Sequence, residues 1–141
     1  MKNIFLLVSI LAISLTVVNC SKDDDNNTPV IDTSSLYGVW DLDYFIENGQ
    51  LVEDINCNKK VTYVFLSDGK YSKTTYAGEG STNCATAVVI YGVWEGLGDN
   101  LYQLSPNGSS VSENLNISFQ DNFTKFTIVY SSSYTEVYTK Q

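Results

Sequence analysis

The chain contains no histidine. Histidine-based triads, histidine general acid–base catalysis and histidine metal ligation are therefore closed to it. Arginine is also absent: all eight basic residues are lysines, set against 16 acids for a net charge of −8. Such a surface repels nucleic acid and anionic lipid headgroups, so neither a nucleic-acid partner nor electrostatic docking on a bilayer is expected. Proline occurs twice and cysteine three times. No glycine-rich loop precedes a helical pattern, which removes the phosphate-cradling motifs. Only one apolar run is long, residues 4–18, and it is shorter than the roughly 20 residues that span a bilayer.

What is there begins with that run. Lys2 supplies a short positive region ahead of IFLLVSILAISLTVV, the order of a secretory signal. The alternative is a retained N-terminal anchor helix. The run ends Val17-Val18-Asn19-Cys20, followed by SKDDDNN. This resembles a bacterial lipobox, in which cleavage falls just before a cysteine that then carries lipid, although Asn19 departs from the usual small residue. The acidic start after the cysteine is similar to that of Bacteroidetes lipoproteins, where such a run resembles a signal for display on the outer face of the outer membrane. Read without that resemblance, Asp23-Asp24-Asp25 is a solvated, self-repelling spacer. Residues 1–19 are thus expected to be a signal peptide, and 20–35 a lipidated cysteine with a polar, disordered tether. The domain is expected over 36–141. A covalent lipid on Cys20 is the expected link to the membrane, because so acidic a surface has no other physical means of adhering. With Cys20 so used, Cys57 and Cys84 remain in a compartment that permits disulfides, and a bridge between them is expected over two unrelated thiols.

From Leu36 onward the apolar pattern has period two. Strands are predicted at about 38–46, 61–67, 70–77, 86–95, 101–104, 114–120, 124–131 and 134–139. Asp68-Gly69 reads as a two-residue hairpin turn, and GLGDN as the turn before 101. In the first strand Trp40, Leu42, Tyr44 and Ile46 are predicted to share one face, with Asp41 and Asp43 on the other. The segment 47–60 has no clear assignment. Short connections imply antiparallel neighbours, and eight strands with one apolar face each bury it by closing. The prediction is an all-β, eight-stranded, antiparallel up-and-down barrel, with a β-sandwich as the alternative. Two strand spacings separate the starts of 61–67 and 86–95, so Cys57 must bend over from the loop ahead of 61 to reach Cys84.

YGVWD at 37–41 returns as YGVWE at 91–95, and these hold the only two tryptophans. Gly-x-Trp opening the first strand resembles the start of the lipocalin superfamily. The ordered set Leu36-x-Gly38-x-Trp40, Cys57, Tyr63-x-Phe65, Asp68-Gly69-x-Tyr71, Cys84 and Gly92-x-Trp94, with Asn100-Leu101-x-x-Leu104, is similar to the lipocalin-like domains of Bacteroidetes lipoproteins over about 36–139. The resemblance implies a lipocalin-like barrel with a tryptophan at its closed end. It implies little about a ligand.

Carboxylates are the remaining catalytic residue type. Asp41 and Asp43 share one face of a strand, and the alternation places them on its wet side. No catalytic residue, metal ligand or cofactor is expected, and the chain is read as a non-enzyme. The aromatic excess is more informative: ten tyrosines, six phenylalanines and two tryptophans. Trp40, Tyr44, Tyr63, Phe65, Tyr71, Trp94, Phe119, Phe126 and Tyr130 are candidates either for the core or for lining a ligand cavity, since an eight-stranded barrel is just filled or holds one small ligand. Tyr138 joins them as a possible lining residue. The expected function is a lipid-anchored, non-catalytic binding domain for a small apolar ligand or a glycan. The alternative is an accessory lipoprotein with a solid barrel that binds a protein partner. Cys20→Ser should leave the protein unlipidated and released from the membrane fraction. A variant that stays uncut and membrane-bound would identify residues 4–18 as a plain anchor.

Overall fold

The computed structural model describes residues 33–141, which lie in one compact unit. The expected signal segment, Cys20 and the tether through residue 32 lie outside the described residues. Nine strands follow in order: β1 Gly38–Glu47, β2 Gln50–Val52, β3 Val61–Phe65, β4 Lys70–Ala77, β5 Ala85–Gly98, β6 Leu101–Pro106, β7 Glu113–Gln120, β8 Lys125–Ser131 and β9 Tyr134–Lys140. All pairings are antiparallel, and β1 also pairs with β9. Strands β1 and β3–β9 therefore form the closed eight-stranded barrel that the period-two pattern predicts, in one sheet and not the alternative sandwich. The short strand β2 is an addition lying along the upper part of β1.

Antiparallel alternation defines two ends. The lower end carries the start of β1, the turns 66–69, 99–100 and 121–124, and the end of β9. The upper end carries the segments 53–60, 78–84, 107–112 and 132–133. Below, the interior is filled by rings. Trp40 lies 4.6 Å from Phe126 and 6.2 Å from Phe119, Phe126 stacks on Tyr138 at 4.8 Å, and Phe65 meets Trp94 edge-on at 5.7 Å. Leu36, in a 3-10 turn ahead of β1, is fully buried.

The repeated pentamer meets a related packing need twice. Each glycine faces an aromatic ring across the ladder, Gly38 opposite Phe65 and Gly92 opposite Tyr71. Each tryptophan is buried, and each indole finds a backbone acceptor, as a buried Trp requires. Trp40 Nε1 donates to the Leu36 carbonyl at 2.8 Å and Trp94 Nε1 to the Leu66 carbonyl at 3.2 Å. The glycines differ in detail. Gly38 adopts φ +134°, whereas Gly92 has no unusual φ and is required by space alone.

Three local expectations are corrected, and the unassigned segment is filled. A bulge at Asp43, between the Leu42–Tyr138 and Tyr44–Val137 pairs, reverses the alternation of β1. Phe45 therefore points into the core, while Tyr44 and Ile46 turn outward, and Tyr44 lies under Lys125 Nζ on the outer wall. The 66–70 turn is a three-residue loop, closed by the Leu66 amide on the Lys70 carbonyl at 2.9 Å with Gly69 at φ +78°. Strand β5 continues through Gly98, so the turn before β6 is only Asp99-Asn100, both at positive φ. The unassigned segment 47–60 holds a hairpin through Asn48-Gly49, β2, the buried Ile55 and a 3-10 turn at Cys57–Lys59. That last turn brings Cys57 over the upper end to Cys84, giving the expected disulfide with Cα atoms 5.2 Å apart. In the loop-entropy description a bridge closing 27 residues contributes roughly 3 kcal/mol.

A Cβ at Gly92 would collide with the Ser105 carbonyl oxygen and lie 2.6 Å from Tyr71 Cε1 and 2.9 Å from Pro106 Cα. Gly92→Ala is therefore expected to destabilise the barrel by roughly 1–3 kcal/mol, measured by denaturant unfolding. An unchanged midpoint would mean that β6 can move away without cost.

Candidate functional site

Above the aromatic layers the interior becomes polar. Alternation along β9 sends Tyr134, Glu136 and Tyr138 inward. Glu136 is 8% exposed, and its carboxylate accepts from both neighbours: Tyr134 Oη donates to Oε1 at 2.9 Å and Tyr138 Oη to Oε2 at 2.7 Å. Tyr63 on β3 packs edge-on against Tyr138 with centroids 5.4 Å apart. Lys73 on β4 holds its ammonium 5.3 Å from the centre of the Tyr63 ring. Tyr130, near the end of β8, lies 5.9 Å from Tyr134. A bulge interrupts the β8–β9 ladder there, between Val129 and Ser131, and Tyr130 is 41% exposed while its hydroxyl lies close to Glu136 and Tyr63.

The electrostatics follow from burial. Tyr63, Tyr130, Tyr134 and Tyr138 are all pushed above the ordinary phenol value, first by desolvation. For Tyr130, Tyr134 and Tyr138 the negative Glu136 adds to the shift. Burial opposes the charge of Lys73, but Tyr63, Glu113 and Glu136 outweigh it and hold its pKa above the usual lysine value.

One atom of the cluster stands out. Tyr63 is 1% exposed, and its hydroxyl has no partner at hydrogen-bonding geometry, although Lys73 and Tyr130 lie near enough to influence its titration. An unmet buried hydroxyl costs about 1–3 kcal/mol. The cluster also adjoins an opening. The upper part of β5 pairs with β4 but not with β6, and its inward-phase residues Val88 and Ile90 are 53% and 38% exposed. Lys73 pairs with Ile90 across the β4–β5 ladder, so the ammonium, with the tyrosine hydroxyls and carboxylate beside it, lies on the side of this opening. This set can hydrogen-bond and stack on a small molecule.

The candidates divide by height. Trp40, Phe65, Tyr71, Trp94 and Phe126 are buried core, with Phe119 partly buried beside them. Tyr63 and Tyr130 border the polar cluster, and Tyr44 belongs to neither group. Sequence reading passed over Lys73 and Glu136. The available signal was a lysine and a glutamate at inward-phase positions of strands, where a charge needs a reason. Asp41 and Asp43 lie outside: Asp41 accepts from Thr62 Oγ1 at 2.5 Å, and Asp43 binds Lys125 and Thr139 at 3.0 Å each. Glu53 and Asp54 join them around an outer groove of about 330 Å³. Among the described residues no group of three or more Cys, Asp or Glu side chains is placed to hold a metal ion. No known protein family, curated protein or solved structure matches the chain.

A folded-state pKa raised above the unfolded value contributes stability that is complete below the unfolded pKa and is lost as pH rises through the folded one. The barrel should therefore be insensitive to these four tyrosines up to about pH 10 and lose stability above it. Phenolate absorbance should show these four tyrosines ionising only with alkaline unfolding, and Tyr71, which burial also raises, ionising above the ordinary phenol value. In Glu136→Gln, Tyr130, Tyr134 and Tyr138 should titrate at lower pH than in the parent. All ten tyrosines titrating together near pH 10 in the folded protein would contradict this assignment.

Proposed function

We propose that the protein is a lipid-anchored lipoprotein of the outer membrane or cell surface, and that its lipocalin-like barrel is a non-catalytic binding module for a hydroxyl-rich small ligand of the glycan type. The lipidated Cys20 and the acidic tether carry the anchoring part of this reading. The observation that carries the ligand part is the buried hydroxyl of Tyr63, which Lys73 and Tyr130 approach without a well-formed hydrogen bond, beside the Tyr–Glu136 network. Several convergent donors and acceptors suit a molecule with many hydroxyls, while the ring-filled lower half leaves little room for a long acyl chain. Two carboxylates, Glu113 and Glu136, around one lysine favour a neutral ligand over an anionic one. The second reading, a solid barrel that binds a protein on its outside, is supported by an apolar groove of about 340 Å³ lined by Val64, Leu66, Tyr71 and Tyr91.

Calorimetric titration of residues 31–141 with neutral oligosaccharides, alongside a dansyl-labelled fatty acid read by energy transfer from tryptophan, separates these readings. Saturable saccharide binding near one per chain is expected. Tyr63→Phe should weaken it roughly three- to tenfold, the value of one neutral hydrogen bond. The same variant should leave the free barrel as stable as the parent or about 1 kcal/mol more stable, because it removes an unmet polar group. Fatty-acid binding without saccharide binding would replace the glycan by an apolar ligand. Binding of neither would favour the protein-partner reading.

A further inference from the structure

The barrel wall is incomplete along one stretch. Strand β6 reaches only as far as Gly92, opposite Pro106, so residues 85–91 of β5 have a ladder with β4 and none on their other side. One bond crosses there, from the Asn107 amide to the Tyr91 carbonyl at 2.8 Å. Backbone groups alternate sides along a strand. The Tyr91 carbonyl therefore places the Tyr91 amide, and both the amide and carbonyl of Val89, on the same edge, where Asn107 sits against Tyr91 and no strand meets Val89. The segment reads ATAVVIY, with no charge and no proline. Val89 and Tyr91 on the outer face are 37% and 62% exposed, so the edge and both faces meet solvent. Natural sheets guard free edges with shortness, charge or proline. Another free edge, that of β2, has such guards: the strand is three residues long, with Glu47 opposite its first residue and Glu53 after its last. The upper edge of β5 has none.

We propose that this edge pairs with the same edge of a second copy, β5 against β5, antiparallel about a two-fold axis. Three features select the chain's own copy. A two-fold pairing uses both vacant edges and leaves none, so assembly stops at two. Centred on Val89, whose amide and carbonyl meet those of its twin, the pairing sets Val88 against Ile90, aliphatic against aliphatic, and ends at the bulge at Ala87 and at Tyr91, whose carbonyl Asn107 holds. The uncharged stretch is also where two chains of net charge −8 can approach, since Glu79 and Glu95 lie beyond its ends. The pairing shares Val88 and Ile90 with the mouth of the candidate site, but its hydrogen bonds are made by the β5 backbone and involve neither Tyr63 nor Glu136.

An edge of this length buries little, below about 1,200 Å² in total, which corresponds to a weak, reversible dimer. Sedimentation of residues 31–141 from about 1 to 300 µM should pass from monomer to dimer. Hydrogen exchange at the Val89 and Tyr91 amides should slow as concentration rises. Val89→Lys places an ammonium on the outer face of the edge. It should weaken dimerisation at least tenfold while leaving circular dichroism and thermal midpoint unchanged. A monomer at every concentration would overturn the proposal. So would a dimer that Val89→Lys leaves intact, or one in which those two amides exchange at a concentration-independent rate.

Discussion

Everything in this fold depends on the pairing of the first strand with the last. β1 and β9 are hydrogen-bonded from Trp40–Lys140 to Glu47–Tyr134, and this ladder turns an eight-stranded sheet into a barrel with an inside. Without it the inward residues of every strand would face water, and the outer strands would expose two long edges. Closure is also what brings Trp40 from β1 against Phe126 from β8 and Tyr138 from β9 against Tyr63 from β3. The ladder tolerates one defect, the bulge at Asp43, which changes which side chains of β1 enter the core. Below the bulge the strand contributes Trp40 and Leu42, and above it Phe45.

The two halves of the barrel solve different problems. The lower half is apolar, ring-filled and sealed, with each indole N–H satisfied by a backbone carbonyl. A barrel needs no more than this for stability. The upper half buries a carboxylate among phenols and leaves one hydroxyl unmet. Replacing Glu136 and its partners by aliphatic residues would satisfy packing with less desolvation. A polar cluster at the open end of an otherwise conventional core is the kind of departure from packing economy that accompanies a binding site.

The repeated pentamer illustrates how one sequence word serves related but unequal ends. In both copies glycine lies opposite an aromatic residue, and the tryptophan two positions on becomes core. Its neighbours differ: Tyr37 packs edge-on against Trp94, whereas Tyr91 stands in solvent beside the vacant edge. The repetition thus records a packing requirement, glycine for close approach and tryptophan for volume.

The number of barrel strands, their direction and most inward residues were determined by the sequence itself. Period-two alternation is local, and short connections leave antiparallel pairing as the only economical solution. The disulfide was legible because only two cysteines remained once Cys20 was assigned to lipid. Asn48-Gly49 was equally legible as a hairpin signal, yet the strand it introduces, Gln50–Val52, is too short to show a period. The tertiary structure alone decided the bulges at Asp43 and Tyr130, the first of which reverses the alternation of β1 and so moved Tyr44 off the predicted face. It also decided that Glu136, Tyr63 and Lys73 would meet, and that β6 would stop short of β5's upper half. Those outcomes depend on register between strands far apart in the chain. Register is set by the summed packing of the closed barrel, and no local pattern encodes that sum.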